Sequence, residues 1–293
     1  MLMEKSIENF YVIGLGLIGG SLALDIKSKR PNAVIYGIDS NENHIEKALE
    51  LGVIDQKGSL ENLSNANWVI IAVPVDKTVE ILVKVLDSVP NETIVFDVGS
   101  TKSQICEAVK NHSKRRHFIA AHPIAGTEFS GPEAALRNLF LERTNIICEV
   151  EKTSFVFQEK ALELFKEIGM RIRYMDPLSH DKHIAYMSHL SHISSFMLGK
   201  TVIEEEKNER DIFDMAGSGF ESTVRLAKSS PEMWTPIFEK NKENVIESLE
   251  EYINNLQKFK DLMQKNNFTS INSEMENVNR IKEILKGITT RTN

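Results

Sequence analysis

The sequence has few cysteines, no long apolar segment and no excess of basic charge. Its 293 residues include two cysteines, Cys106 and Cys148, which are too few and too isolated for a disulfide framework or a zinc site. We therefore expect a reducing compartment, the cytoplasm. No apolar run approaches the roughly 20 residues that a membrane-spanning helix needs. The N-terminal segment carries acids and does not resemble a signal peptide, so we expect no contact with a membrane.

The charge balance argues against a nucleic-acid partner. The formal net charge is −7, and the lysines are interspersed with acids rather than gathered on one stretch, whereas nucleic-acid binding needs a basic field. A content of 41% hydrophobic and 26% charged residues is typical of a soluble globular protein. The length suggests two domains or one large one.

The first half of the chain alternates short apolar runs with helical patterns. This alternation predicts a parallel sheet covered on both faces, an α/β Rossmann-type domain. The predicted strands are residues 10–15, 33–39, 68–74, 93–99, 117–123, 144–150 and 171–175.

Beyond residue 181 the pattern is helical, with long segments over 182–206 and 231–266 and an interruption at 216–220. We predict a nucleotide-binding domain over residues 1–175 and an all-helical domain over 176–293. The helical part carries more apolar surface than a lone bundle of its size would tolerate. We therefore expect it to form a homodimer.

A glycine motif follows the first predicted strand and opens the first helix. In GLGLIGGS, Gly14 permits a tight turn, Gly16 lets the backbone approach a pyrophosphate, and Gly19 allows helix and strand to pack closely. The intervening Leu17 and Ile18 belong to the same predicted binding turn. The pattern is specific here because a strand precedes it and a helix follows it.

The second predicted strand ends at an acid, Asp39. A carboxylate at that position can accept the ribose hydroxyls of NAD and would repel the 2′-phosphate of NADP, and no arginine follows it immediately. NAD is therefore the expected cofactor. The alternatives are FAD, which usually needs a longer chain, and a glycine-rich turn that binds no nucleotide.

Two further loops leave predicted strands on the ligand side of the sheet. In AVPVDKT, Val73 and Pro74 end a strand beneath the expected adenosine. In DVGSTKS, Gly99 and Ser100 are expected to open a helix near the nicotinamide. We predict that both loops contact the cofactor.

The segment AAHPIAGTEFSG, residues 120–131, has too many glycines and prolines for a helix and too little periodicity for a long strand. It is typical of a shaped loop, and it presents one imidazole, His122. A histidine at a strand end beside a nucleotide site is a candidate general base. The alternative is a histidine that only satisfies a buried loop.

Taken together, these motifs resemble the prephenate/arogenate dehydrogenase family. The similarity extends over nearly the whole chain and is carried by GLGLIGGS (14–21), DVGSTK (97–102), HPIAGTEFSG (122–131), HDKHIAYMSHLSH (180–192) and GSGFESTVRLAKSSPEMW (217–234). The resemblance implies NAD-dependent oxidative decarboxylation of prephenate to 4-hydroxyphenylpyruvate, a step in tyrosine biosynthesis.

The resemblance also assigns roles to individual residues. It implies that His122 hydrogen-bonds the 4-hydroxyl of the substrate and takes its proton, and that Ser100 orients this histidine; the alternative for Ser100 is a helix cap. Arg225 is expected to grip a substrate carboxylate with its planar guanidinium. Its small and apolar neighbours predict that it is buried.

Further residues are expected around the substrate. The resemblance places His192 in the pocket with Ser188 and His189 as supports, and it implies three more pocket residues: Thr127, Glu128 and Trp234. The histidines at 180, 183, 189 and 192 also raise the possibility of a metal site. We expect none, because no acid or cysteine completes a tight cluster and hydride transfer needs no metal.

The sequence departs from the family pattern near the arginine and between the paired histidines. Glu221 and Ser222 replace a basic residue and an aspartate, and Ser191 replaces a proline. These changes leave open whether the substrate is prephenate or arogenate, and Glu221 could favour the ammonium group of arogenate. Another dehydrogenase class is disfavoured because the first helix of the second domain carries histidines rather than a central lysine. A non-catalytic NAD-binding protein is the remaining alternative.

Overall fold

The structure, a computed structural model, describes residues 7–207 and 210–289. Most of the N-terminal segment considered for a signal peptide therefore lies outside the described residues. The chain divides into two compact units, Met1–Lys242 and Glu243–Asn293. The first contains a sheet with helices, and the second is helical in its described part.

The sheet of the first unit has eight strands in the order β3-β2-β1-β4-β5-β6-β7-β8. Their bounds are β1 Glu8–Ile13, β2 Ala33–Ile38, β3 Gln56–Lys57, β4 Trp68–Ile71, β5 Ile94–Asp97, β6 Phe118–Pro123, β7 Thr144–Cys148 and β8 Arg171–Met175. Each of the seven strands predicted from the sequence is present. The two-residue edge strand β3 was not predicted, because it is too short to show an apolar pattern.

The strand directions confirm a Rossmann-type arrangement with one difference. Strands β1 to β6 pair in parallel, and β7 pairs with β8 in parallel. The predicted parallel sheet has one antiparallel pair, since β6 and β7 run in opposite directions, with His122 opposite Ile146. An apolar run shows that a strand is buried but does not encode its direction.

Both faces of the sheet are buried, as expected for parallel strands with helical crossovers. Alternate residues of β1 enter different clusters: Phe10 and Val12 pack on one face, and Tyr11 and Ile13 pack on the other. The central strand β4 divides in the same way, with Trp68 and Ile70 on the first face. This two-sided core fixes the strand ends that carry the candidate site.

Nine α-helices are described within the first unit. They are α1 Leu17–Lys29, α2 Glu42–Glu50, α3 Val75–Ser88, α4 Ser103–Val109, α5 Phe155–Glu167, α6 Pro177–Ile184, α7 Leu190–Glu206, α8 Ser218–Val224 and α9 Pro231–Lys240. The predicted helix over 182–206 is interrupted by a π-helical turn at Ala185–His189. The helix predicted over 231–266 is broken at Asn241, whose backbone leaves the helical region with φ −118°.

The second unit follows with α10 Lys242–Gln264, α11 Phe268–Val278 and α12 Ile281–Thr289. Large apolar side chains are exposed on these helices, among them Ile253, Leu256, Phe259, Met263, Phe268, Met275 and Val278. This is the apolar surface from which a homodimer was predicted. Within the two described stretches, no helix combines the length and the apolar character that crossing a membrane would require.

The compact units do not coincide with the boundary predicted near residue 176. Helices α6 and α9, which follow that boundary in the chain, pack against α4 and α3 respectively. Segments from both sides of residue 176 thus belong to one compact unit. The assignment of residues 1–175 and 176–293 to two domains stays a prediction.

Candidate active site

The glycine turn between β1 and α1 has the shape that a dinucleotide requires. Gly14 has φ +94°, and a Cβ there would lie 2.3 Å from the Ala72 carbonyl oxygen. A Cβ at Gly19 would lie 2.0 Å from the Gly14 oxygen, whereas one at Gly16 would meet no atom within 4 Å. Gly14 and Gly19 therefore let the backbone pack closely, whereas Gly16 leaves an open space above the turn.

Helix α1 presents its N-terminus at this open space. Its N-cap, Gly16, has no side chain to bond the first backbone N–H groups, and its first turn has no acid. Such N–H groups and the helix dipole favour an anion. The side chains of Leu17 and Ile18 pack in or against the core, so these two predicted residues would contribute through their backbone.

Asp39 lies directly after β2 and is held at the turn by backbone donors. Its carboxylate accepts the N–H of Leu15 at 2.9 Å and that of Asn41 at 2.9 Å. These bonds place the acid beside the glycine turn, where a ribose would lie. These residues thus fit an NAD-type dinucleotide: they provide an open cradle, a helix N-terminus and an adjacent carboxylate.

The predicted loops after β4 and β5 lie at the same edge of the sheet, since these strands run parallel to β1. Val73 follows β4, and Pro74 is the N-cap of α3. Helix α4 begins at Ser103 with Lys102 as its N-cap. The expectation that Gly99 and Ser100 open a helix is therefore wrong, and so is the alternative of Ser100 as a cap; these residues belong to the loop before it.

His122 lies near the end of β6 and is 8% exposed. Its Nδ1 lies 2.8 Å from Nε2 of His180, and Nδ1 of His180 lies 2.8 Å from Oδ1 of Asp181. Burial, followed by the nearby His180, Lys102 and His189, holds the pKa of His122 well below its ordinary value of 6.5. The imidazole is therefore neutral at neutral pH and can accept a proton.

The partner of His122 differs from the one that was expected. The resemblance implied that Ser100 orients this ring, yet among the described residues no hydrogen bond joins Ser100 to His122, and the ring is bonded to His180. Sequence reasoning considered His180 only as a metal ligand. It is separated from His122 by 58 residues, and no local pattern predicts that the two meet.

Helix α6 brings the second histidine into place through its capped start. Asp176 accepts the N–H of Ser179 at 2.9 Å, and Pro177 occupies the first turn, where a missing N–H costs nothing. His180 and Asp181 follow on the next positions and are both buried. The caps thus determine where the helix begins and hence that these two side chains reach β6 and α4.

A buried lysine was missed by the sequence analysis. Lys102 is 0% exposed, pairs with the carboxylate of Asp97, and donates to the carbonyl oxygen of Ala121 at 2.8 Å. A fully buried lysine needs such partners because an isolated charge is costly in the interior. It places a paired cation next to the strand that carries His122.

Arg225 is joined by an ion pair to the segment 120–131, which carries His122. Its guanidinium lies 3.3 Å from the carboxylate of Glu128, and its side chain is 50% exposed. The expectation of a buried Arg225 is therefore wrong, because the short helical turn that it begins faces outward. Thr127, beside Glu128, accepts the N–H of Phe129 at 3.3 Å and so shapes the same loop.

Trp234 and His192 form a stacked pair, with ring centroids 3.5 Å apart and planes inclined by 27°. The Nδ1 of His192 lies 2.9 Å from the Ser188 carbonyl, which fixes the proton on that nitrogen. Burial lowers the pKa of His192, and the nearby Arg225 lowers it further. This pair therefore lies close to the predicted carboxylate anchor.

His189 completes this group on the other side of Trp234. Its ring centroid is 5.8 Å from that of the tryptophan, and burial lowers the pKa of His189 to about 4. The Nε2 of His189 and the Nε1 of Trp234 are both buried and have no hydrogen-bond partner among the residues that the structure describes. Buried polar atoms usually have partners, so these two mark a position where a ligand or water would bond. No group of three or more histidine, cysteine or acidic side chains suited to a metal occurs among the described residues.

Comparison with known proteins identifies the family. The sequence profile described as prephenate dehydrogenase, nucleotide-binding domain, matches residues 22–174, which is more than half of the chain. The profile described as prephenate dehydrogenase, dimerization domain, matches residues 176–281. The chain belongs to the prephenate dehydrogenase family.

Curated relatives and solved structures agree with this membership. The chain is 33% identical to the prephenate dehydrogenase of Bacillus subtilis (strain 168), covering 90% of this chain and 72% of that protein. It is similar to the crystal structure of prephenate dehydrogenase from A. aeolicus in complex with hydroxyphenyl propionate and NAD+, with 33% identity, a TM-score of 0.83, and coverage of 98% and 99% of the two chains. Synechocystis arogenate dehydrogenase gives 27% identity, a TM-score of 0.76, and coverage of 94% and 99%.

The departures from the family pattern lie on the surface in this member. Glu221 is exposed and its carboxylate is 3.7 Å from the ammonium of Lys228. Ser191, which replaces a proline, donates its hydroxyl to the Met187 carbonyl at 3.4 Å. Neither Glu221 nor Ser191 is hydrogen-bonded to His122 among the described residues.

Proposed function

We propose that this protein is a prephenate dehydrogenase that uses NAD. The observation that carries the proposal is a buried, neutral His122 at the edge of the sheet that also carries the glycine turn. Strands β1, β4, β5 and β6 are parallel, so their carboxyl ends meet at that edge. The names of the relatives and the ligands of the A. aeolicus complex support the same reaction and cofactor.

Gly14, Gly16, Gly19 and Asp39 would hold the dinucleotide, together with the backbone of Leu17 and Ile18 and the loops at Val73, Pro74 and Ser100. When bound, NAD supplies the acceptor for the hydride that leaves C4 of prephenate. The protein would supply the remaining functions: it would align the ring of prephenate, bind the two carboxylates of the substrate and remove one proton.

His122 is proposed as the catalytic residue. The 4-hydroxyl proton moves to its imidazole as the C4 carbon gives up a hydride. The ring carboxylate then leaves as CO₂, its electron pair makes the ring aromatic, and the resulting phenolate oxygen takes the proton back from His122. A neutral imidazole can take that proton, and one positioned general base contributes roughly 10²–10⁴-fold in rate. The low pKa of His122 keeps the ring neutral before the substrate binds.

Arg225 is proposed to bind a substrate carboxylate. Its guanidinium is half exposed and, within the described ranges, pairs with Glu128 alone at 3.3 Å, so it is accessible to an anion that offers two oxygens. Thr127, Glu128, His192 and Trp234 would line the same pocket. The buried nitrogen atoms of Trp234 and His189 support a polar ligand there.

The quaternary structure is also proposed. The match to a dimerization domain over residues 176–281 and the exposed apolar side chains on α10 and α11 support a homodimer. We keep the division at residue 175/176 and a cytoplasmic location as predictions. A molar mass by light scattering of twice the chain mass would support the dimer, and a monomer would exclude it.

Arogenate is the second candidate substrate, supported by the similarity to the Synechocystis enzyme and by the acid at position 221. The exposed Glu221 is free to approach an ammonium group at the cost of a surface ion pair, which is a small cost. A ratio of kcat/KM that favours arogenate and falls in Glu221→Gln would support this specificity. Equal ratios in the two proteins would exclude a role for Glu221.

The deciding assay is the formation of NADH from NAD and prephenate, followed by the near-ultraviolet absorbance of NADH. The proposal expects NADH and 4-hydroxyphenylpyruvate in equal amounts. Binding of NAD by calorimetry without any turnover of prephenate or arogenate would instead indicate a non-catalytic NAD-binding protein.

A further inference from the structure

A chain of two hydrogen bonds connects His122 to a buried carboxylate. His180, between them, is 1% exposed and Asp181 is 2% exposed. The ring of His180 uses both of its nitrogen atoms, Nε2 toward His122 at 2.8 Å and Nδ1 toward Asp181 at 2.8 Å.

The direction of the hydrogen bonds follows from the donors around Asp181. Its Oδ1 accepts the N–H of Lys102 at 2.7 Å, and its Oδ2 accepts the N–H of Ser103 at 2.8 Å. Burial raises the pKa of Asp181, but these donors and His180 outweigh burial, so the pKa is lowered overall. The carboxylate is thus ionised at neutral pH and can only accept, which leaves the proton of the shared bond on Nδ1 of His180.

A neutral His180 that carries its proton on Nδ1 has a lone pair on Nε2. That lone pair can only accept, so the facing Nδ1 of His122 must donate. The second nitrogen of His122, Nε2, is then left without a proton.

We propose that His180 and Asp181 are positioning residues that hold the proton of His122 on Nδ1 and so keep its Nε2 free to accept the proton of the substrate. The role given to Nε2 rests on the proposed function; the tautomer itself does not. A carboxylate can fix the tautomer of a histidine by bonding the ring nitrogen opposite the reactive one, and this arrangement is common for general bases.

The same chain stabilises His122 after it has reacted. The substrate oxygen loses its proton to Nε2 of His122, which forms one N–H bond, breaks one O–H bond and leaves the ring positively charged. The Nδ1–H of the charged ring then donates to His180, whose own Nδ1–H points at the negative Asp181. No proton needs to reach Asp181, because its charge acts through the oriented ring of His180.

The first test measures the tautomer directly by nitrogen NMR of protein labelled in its histidine rings. The signals of His122 are identified as those missing from His122→Asn. We expect neutral His122 with its proton on Nδ1 and a bare Nε2; a proton on Nε2 would overturn the proposal. The spectrum needs neither substrate nor cofactor, so a protein with this tautomer but no activity on prephenate would refute the proposed function and leave this inference standing.

The second test replaces His180 by phenylalanine, which keeps an aromatic ring and removes both nitrogen atoms. Released from its acceptor, His122 is expected to show a mixture of tautomers, and kcat is expected to fall about 10²-fold with KM little changed, within the range for a positioned base. A single Nδ1-protonated tautomer with wild-type kcat in His180→Phe would overturn the proposal. If the variant fails to fold, the wild-type spectrum decides alone.

Gln104→Ala is the matched control. The side-chain amide of Gln104 donates to the carbonyl of Lys240 at 3.3 Å and so joins α4 to α9, one residue after the Ser103 position, and it makes no bond to His122, His180 or Asp181 among the described residues. We expect wild-type tautomer and kcat. A loss of kcat as large as that of His180→Phe would show that any loosening of these helices has the same effect, which would overturn the assignment.

Discussion

The glycine turn and the histidine site are built in opposite ways. The turn is formed by one short stretch, Gly14 to Asp39, and acts through backbone groups and through the absence of side chains. The histidine site joins β6, the start of α4 and the helix α6, and acts through buried side chains that bond one another. The glycine turn leaves an open space for a ligand, whereas the histidine site is filled by buried side chains that hold the ring of His122 in place.

This difference shows which properties depend on local sequence and which depend on the whole fold. A turn of this kind tolerates any neighbours that leave its backbone free. The histidine site tolerates few changes, because each buried polar group relies on another for its hydrogen bonds. Substitutions in the two regions should therefore fail in different measurements.

Among substitutions that leave His122 and its hydrogen bonds in place, the largest effect is expected at Arg225, an exposed residue near the histidine site. Arg225→Ala should raise KM for prephenate roughly 10- to 100-fold, since a hydrogen-bonded ion pair contributes about 1.5–3 kcal/mol. NAD affinity should not change. Steady-state kinetics and calorimetry measure the two quantities.

Arg173→Ala is the control for that substitution, because Arg173 is an exposed arginine of β8 whose guanidinium donates only to the Ile172 carbonyl among the described residues. It should behave as the wild type. An unchanged KM in Arg225→Ala, or an equal rise in both variants, would remove Arg225 from the substrate side.

The next effect separates two glycines of the turn. Gly14→Ala places a Cβ on a left-handed backbone, which costs about 1–2 kcal/mol, and against the Ala72 carbonyl. Gly16→Ala meets no protein atom. We therefore expect a lower Tm for Gly14→Ala, and for Gly16→Ala a normal Tm with roughly fivefold to tenfold weaker NAD binding from about 1 kcal/mol of lost backbone contact.

Thermal melts and calorimetry on both proteins test this pair. A normal Tm for Gly14→Ala would contradict the close packing at that glycine. Undiminished NAD affinity in Gly16→Ala would mean that the dinucleotide does not approach the backbone there.

The smallest effects come from two buried acids with opposite surroundings. Asp25 lies on α1, the helix of the glycine turn. Burial raises its pKa above the ordinary 3.8, and one of its oxygens has no hydrogen-bond partner in the described part of the chain. Asp181, in the histidine site, has its pKa lowered by several donors. The ionised form therefore costs stability at Asp25 and contributes stability at Asp181.

The signs give opposite pH slopes. Below the raised pKa of Asp25 the wild-type group is protonated, so any stability advantage of Asp25→Asn at neutral pH should vanish as the pH falls toward 3.8. The deficit of Asp181→Asn, about 1–3 kcal/mol at neutral pH, should shrink only below 3.8, as the wild-type carboxylate protonates. Urea melts of each variant and the wild type across this range test both, and slopes of the same sign would contradict the account.

The difference between a local turn and a site assembled from distant segments also determines what could be predicted from the sequence. Gly14, Gly19 and Asp39 were recognised because their geometry is local: a turn, a helix start and a strand end within one continuous stretch. The strands were found for the same reason, through their apolar runs. The direction of β7 was not predicted, because an apolar run has the same pattern whichever way the strand runs in the sheet.

The histidine site was predicted only in part. His122 stands out as one imidazole in a loop of small residues, but its partners His180 and Asp181 are brought to it by the capped start of a helix 58 residues away. Lys102 was missed because a lysine in a polar loop is usually exposed, and only the fold places Asp97 beside it. The adjacent His180–Asp181 pair just inside a capped helix was the one available signal.

The measurement that tests the central claim most directly is made on His122→Asn, with NAD binding and prephenate turnover determined on the same protein. The account predicts NAD affinity equal to that of the wild type and a kcat lower by roughly 10²–10⁴-fold, because the variant keeps the open glycine turn and loses the base. A variant that keeps full kcat would contradict the role of His122. A variant that loses NAD affinity in proportion to kcat would contradict the separation of the two regions.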